Sequence, residues 1–128
     1  MRFFSNLFNE NQSDLNGNQV NWIPLQTLAQ LEAIDENSYE KPILIFKHST
    51  RCSISRFALK RFENEFELQE QVLPYFLDLL NYREISNEIA VKFGVQHQSP
   101  QVLLIKAGKV VYHDSHDGIE AEELKKYM

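Results

Sequence analysis

Residues 42–66 read PILIFKHSTRCSISRFALKRFENEF, and the fold turns on this stretch. Pro42 opens an unbroken apolar run, Ile43-Leu44-Ile45-Phe46, of the length expected for a strand buried on both faces. A polar turn, Lys47 to Arg51, follows. Ile54, Phe57, Ala58, Phe62 and Phe66 then recur at i, i+3, i+4, i+8 and i+12, which predicts an amphipathic helix with that stripe facing the core. At the junction stands Cys52, the one cysteine of the chain. A buried strand turning into a strong helix is half of a β-α-β unit.

Outward from this unit the chain keeps alternating. Trp22 and Ile23, stopped by Pro24, read as a short strand; Leu28, Leu31 and Ile34 follow at helical spacing, with Thr27 or Gln26 near the start. Downstream, Pro74 leads into a strand over Tyr75 to Leu80. Ile85, Ile89 and Phe93 mark a helix, and Gly94 suits its left-handed cap. Val102 to Ile105 and Val110 to Tyr112 form a hairpin around Ala107-Gly108. Asp117 and Glu120 have the spacing of a capping box for a last helix through Leu124. The order is β-α-β-α-β-α-β-β-α, which predicts an α/β fold with a central mixed sheet and helices on both faces. Residues 20–128 are expected to form this domain, and residues 1–19 a flexible, Asn-rich leader.

Composition narrows the function. The chain has 128 residues, 43% of them hydrophobic, and a net charge of −5. That suits one packed domain and argues against nucleic acid as a partner. One cysteine excludes an internal disulfide framework and a Cys-rich zinc module. No apolar run is long enough to cross a bilayer, so no membrane partner is expected. A monomer in a reducing cytoplasm is the expectation.

The position of Cys52 suggests chemistry. A helix start offers unpaired N–H groups and the positive end of the dipole, both of which favour a thiolate. Between Lys47 and Arg61 lie five basic residues (Lys47, Arg51, Arg56, Lys60, Arg61) and no acid, whereas Glu63, Glu65, Glu67 and Glu70 reverse the sign. Ser55 stands three residues on, where a dithiol enzyme has its second cysteine. Ser99-Pro100 precedes the fourth strand, and that proline suits either a cis peptide facing Cys52 or an ordinary trans strand start. His48 and His97 are placed for hydrogen bonds near the site. His113, Asp114, His116 and Asp117 do not share a helical face and lack a further ligand, so no metal site is expected.

Together, His48-Ser49-Thr50-Arg51-Cys52-Ser53-Ile54-Ser55, His97-Gln98-Ser99-Pro100-Gln101 and His113-Asp114-Ser115-His116 resemble the thioredoxin-like monothiol bacilliredoxin family (the YtxJ-like proteins) from about Trp22 onward. The resemblance implies thiol–disulfide exchange on bacillithiol mixed disulfides of S-thiolated client proteins. Bacillithiol would serve as co-substrate, with no bound cofactor. Cys52 matches the family's nucleophile and Pro100 its cis-proline. Ser55, Arg51 and His48 are expected to stabilise the thiolate, with Ser55 donating a hydrogen bond to it; Ser99, Pro100, His97 and Arg56 are expected to bind substrate. The family's Thr-Cys-Pro-Ile-Ser is replaced here at two places, by Arg51 and Ser53, so a cation and a backbone N–H are added beside the sulfur. An iron–sulfur carrier and a non-catalytic binding module are the alternatives, the first lacking its usual Cys-Gly-Phe-Ser.

Overall fold

The computed structural model describes residues 20–128; the leader expected for residues 1–19 lies outside them. The strands are β1 (Ile23–Pro24), β2 (Ile43–His48), β3 (Leu73–Asp78), β4 (Gln101–Lys106) and β5 (Lys109–Ser115). The helices are α1 (Leu28–Asn37), α2 (Ser53–Glu65) and α3 (Arg83–Phe93). Among the described residues one sheet forms, in the order β1-β3-β2-β4-β5. β1, β3 and β2 run parallel, while β4 is antiparallel to β2 and β5 to β4.

The central position of β2 follows from its side chains. Ile43 and Ile45 point into one cluster with Leu31, Ile34, Ile85 and Ile89, beneath α1 and α3. Leu44 and Phe46 point into the other, with Ala58 and Phe62 of α2, Phe66 at its C-cap, and Ile119 and Leu124 of the C-terminal segment. A strand covered on both faces has no reason to alternate polar and apolar residues, hence the continuous run. β4 repeats this, with Leu103 and Ile105 on one side and Val102 and Leu104 on the other.

The local signals act where they were expected. Thr27 caps α1 in a full capping box with Gln30. Gly94 ends α3 at φ 68°, and Ala107 and Gly108 turn the hairpin at φ 51° and 76°. Pro74 lies inside β3, not before it. Leu73 N–H bonds Pro42 O on the β2 side, so the missing donor of Pro74 faces β1, whose pairing begins only at Tyr75.

Two further expectations need correction. The last helix is not α-helical: His116–Gly118 and Ala121–Tyr127 are 3-10 segments, and Asp117 lies within the first instead of capping the second. In α2, Ile54 and Phe57 do not face the core; they are 56% and 71% exposed, and Ser55, Ala58 and Phe62 are buried. Each residue turns a helix by about 100°, so once Ser55 and Ala58 point inward their neighbours Ile54 and Phe57 swing to solvent.

Candidate active site

Cys52 is the N-cap residue of α2, partly exposed, in extended backbone at φ −109° and ψ 122°. Its N–H donates to Ser49 O at 3.2 Å, and its carbonyl accepts from Arg56 N–H at 3.0 Å, the first bond of the helix. The N–H groups of Ser53, Ile54 and Ser55 precede that bond and have no carbonyl one turn back, so they face the sulfur's end of the helix. The register Lys47↔Gln101 brings the start of β4 beside the end of β2. Pro100 and the loop to Cys52 therefore share one end of the sheet. The Ser99-Pro100 peptide is cis, and Pro100 O accepts from His116 N–H at 3.1 Å.

Ser55 differs from its expected part. It is fully buried, with Oγ 2.8 Å from His48 Nδ1 and accepting from Ser49 N–H at 3.1 Å. Among the described residues no hydrogen bond reaches Cys52 Sγ. His48 is itself buried, its ring between Phe76 and Phe46 at centroid distances of 5.4 and 6.5 Å. Burial is the main force holding its pKa below the ordinary value; the Arg56 charge adds to this and Asp78 opposes it. Asp78 is the register partner of His48 on β3, and its Oδ2 accepts from Asn81 Nδ2 at 2.7 Å.

The basic segment does not act as one patch. Lys47 lies on the opposite sheet face from His48, is fully buried, and places Nζ 3.3 Å from both Ser86 O and His97 Nδ1. Burial lowers its pKa to about 8. Arg61 is tied to the carbonyls of Asp117 and Ile119 at 3.1 and 2.5 Å. Arg56 donates to Thr50 O at 3.1 Å and so braces the loop before the cysteine. Arg51 remains exposed. Together with Thr50, Leu80 and Asn81 it lines a cavity of about 390 Å³, formed by the two residues that precede Cys52 in the chain and the pair after β3.

His97 stands over Lys47. Its Nδ1 is taken by Lys47 Nζ and by Ser86 Oγ at 3.2 Å, and burial, with Lys47 and Arg83, lowers its pKa. Ser99 Oγ is buried with no hydrogen-bond partner among the described residues. His113, Asp114, His116 and Asp117 gather no metal-binding group, and no cluster of three His, Cys, Asp or Glu side chains suited to a metal ion occurs among the described residues. Nor is any helix there long and apolar enough to cross a membrane. Sequence reasoning passed over Ser86, Asp78 and the Leu80-Asn81 pair. Asp78 and Leu80 carried a usable signal, since they close an apolar run at the same end of the sheet as His48.

The fold is that of solved thioredoxins. A thioredoxin from Malassezia sympodialis superposes with a TM-score of 0.65 at 14% identity, over 91% of this chain and 95% of that one. The Fasciola hepatica thioredoxin gives 0.60 at 22%, over 81% and 93%. A structure described as a candidate oxidoreductase with a thioredoxin fold gives 0.69 at 33% identity, over 81% of this chain and 90% of that one. The class is thus a thioredoxin-fold, oxidoreductase-like protein with one cysteine at the start of α2. Residues 23–124 match the family model Monothiol bacilliredoxin BrxC, and the chain belongs to that family.

Proposed function

We propose that this protein removes bacillithiol, or a similar low-molecular-weight thiol, from protein mixed disulfides through Cys52. The observation that carries this is a lone thiol at a helix N-cap, with a buried serine hydroxyl three residues on where a resolving thiol would have to stand. The Cys52 thiolate attacks the bacillithiol sulfur of the mixed disulfide. That S–S bond breaks, the client leaves as a thiolate that takes a proton from solvent, and the bacillithiol stays on Cys52. With no second cysteine, a bacillithiol thiolate from solution attacks the adduct; it releases Cys52 and departs as the bacillithiol disulfide, so one S–S bond is conserved through both exchanges and the client sulfur's reduction is matched by oxidation of the incoming bacillithiol sulfur.

Charge and shape suit these partners. Bacillithiol carries malate carboxylates, and exposed Arg51, which precedes Cys52 and lines a cavity, offers them a cation. Exposed Ile54 and Phe57 flank the cysteine and offer apolar contact to a client polypeptide. Pro100 and the Ser99 backbone, at the adjoining sheet end, suit an extended substrate segment. A reducing cytoplasm is the compartment for such exchange.

Incubation with oxidised bacillithiol followed by intact-mass spectrometry tests this. One adduct, mapped to Cys52 and absent in Cys52→Ser, is expected. No adduct, with iodoacetamide reactivity no faster than that of a free thiol, would overturn it.

A further inference from the structure

We infer that His48 decides where the Ser55 hydroxyl proton points, and thereby whether that proton is available to the Cys52 sulfur. This rests on Cys52 being the reacting thiol, as proposed above. A serine hydroxyl has one proton to donate and two lone pairs to accept with. One lone pair of Ser55 is taken by Ser49 N–H at 3.1 Å, and His48 Nδ1 stands at 2.8 Å. The rest is a matter of counting. When His48 carries its proton on Nε2, Nδ1 is an acceptor, Ser55 donates to it, and nothing remains for the sulfur. When the proton is on Nδ1, His48 donates, both Ser55 lone pairs are filled, and its O–H must find another acceptor.

The candidate acceptor is Cys52; no hydrogen bond joins it to Ser55 Oγ among the described residues, where Ser55 is engaged by Ser49 and His48. Ser55 is the third residue of α2 and Cys52 its N-cap, one turn apart, and helical side chains lean toward the N-terminus. A thiol is a weak acceptor, whereas a thiolate is a strong, charged one. Ionisation of Cys52 therefore favours the Nδ1–H form, and the resting thiol favours the Nε2–H form. The imidazole keeps one proton throughout, so no charge is buried by the change. The charged groups facing His48 are Asp78 from β3 and Arg56 from α2, while Phe46 and Phe76 pack on its ring. His48 is a positioning residue that acts through Ser55, and this explains why a buried serine bonds a buried histidine at the point where dithiol relatives would have sulfur.

Iodoacetamide alkylation rates of Cys52 at neutral pH, in a double-mutant cycle, test the inference. His48→Phe keeps the aromatic packing and frees the Ser55 proton, so the rate is expected to rise roughly threefold. Ser55→Ala removes the donor and is expected to slow alkylation roughly tenfold, the value of a hydrogen bond to a charged group. In the Ser55→Ala background, His48→Phe should then have no further effect. An equal His48→Phe effect in both backgrounds would overturn the inference, because His48 would then act on the sulfur without Ser55. Nitrogen-15 NMR of the unmutated protein gives an independent check. His48 is expected to be Nε2–H while Cys52 is a thiol and to gain Nδ1–H when it ionises; an unchanged tautomer would refute the coupling. Failure of Cys52 to take a bacillithiol adduct would refute the exchange function and leave both results standing.

Discussion

Lys47→Met should change the sign of its effect on stability between pH 7 and pH 10.5. Lys47 Nζ is enclosed under α3 with, among the described residues, only Ser86 O and His97 Nδ1 as hydrogen-bond partners. Burial lowers its pKa from 10.5 to about 8. At ~1.4 kcal/mol per pKa unit this difference is worth ~3 kcal/mol. Below pH 8 the amine is charged in both states, and the folded protein carries that full cost. From pH 8 to 10.5 the folded state gives up the proton while the unfolded state retains it, so stability rises with pH; above 10.5 the cost is gone. Methionine fills similar space without charge and loses the two hydrogen bonds, at ~1 kcal/mol each. The variant is thus expected to be ~1 kcal/mol more stable at pH 7 and ~2 kcal/mol less stable at pH 10.5. Urea unfolding of both proteins at the two pH values measures this, and groups common to both cancel in the comparison. An equal loss of stability at both pH values would refute the reasoning.

Other substitutions probe the rest of the account. Phe62, 1% exposed, has its ring 5.5 Å from those of both Phe46 and Phe66; Phe62→Ala should cost ~3–5 kcal/mol in urea unfolding, and a loss below ~1 kcal/mol would contradict the α2 packing. Gly94 and Gly108 both have positive φ, but a Cβ meets nothing within 4 Å at Gly94, whereas at Gly108 it comes within 2.9 Å of Asp35 Oδ1 and Tyr39 Oη. Those atoms are the ends of a partly exposed Asp and a largely exposed Tyr side chain and can shift, so Gly94→Ala and Gly108→Ala should each cost a similar ~1 kcal/mol in urea unfolding; an excess above ~1 kcal/mol at Gly108 would contradict this. Arg51→Thr, which restores the family's residue, should raise the KM for a bacillithiol mixed disulfide roughly three- to tenfold and flatten its salt dependence. An unchanged KM would remove Arg51 from substrate recognition.

How much of this was legible in the chain depended on what the patterns count. The continuous apolar run at Ile43–Phe46 marked a strand covered on both faces, Val102–Ile105 marked a strand, and Gly94 and Thr27 marked helix ends, because each signal has one local cause. The inward face of α2 was misjudged at its first turn, since apolar periodicity counts Ile54 and Phe57 and passes over Ser55. That serine is turned inward by hydrogen bonds to His48 and Ser49, partners supplied by the strand end. Lys47 was read as the start of a polar turn and part of a basic segment around Cys52 for the same reason: nothing local shows that β2 is covered on both faces as far as its last residue. The position of Cys52 was legible from the strand–helix junction alone. The C-terminal 3-10 geometry was not, because capping-box spacing fits an α-helix start and a tight turn alike.

The most direct test of the central claim is time-resolved mass spectrometry of this protein mixed with a small client bearing one bacillithiolated cysteine. Bacillithiol is predicted to leave the client and to be found once, on Cys52, at the same rate, with no transfer by Cys52→Ser. Release of the client thiol at an equal rate by Cys52→Ser, or without any adduct on Cys52, would contradict monothiol exchange at this site.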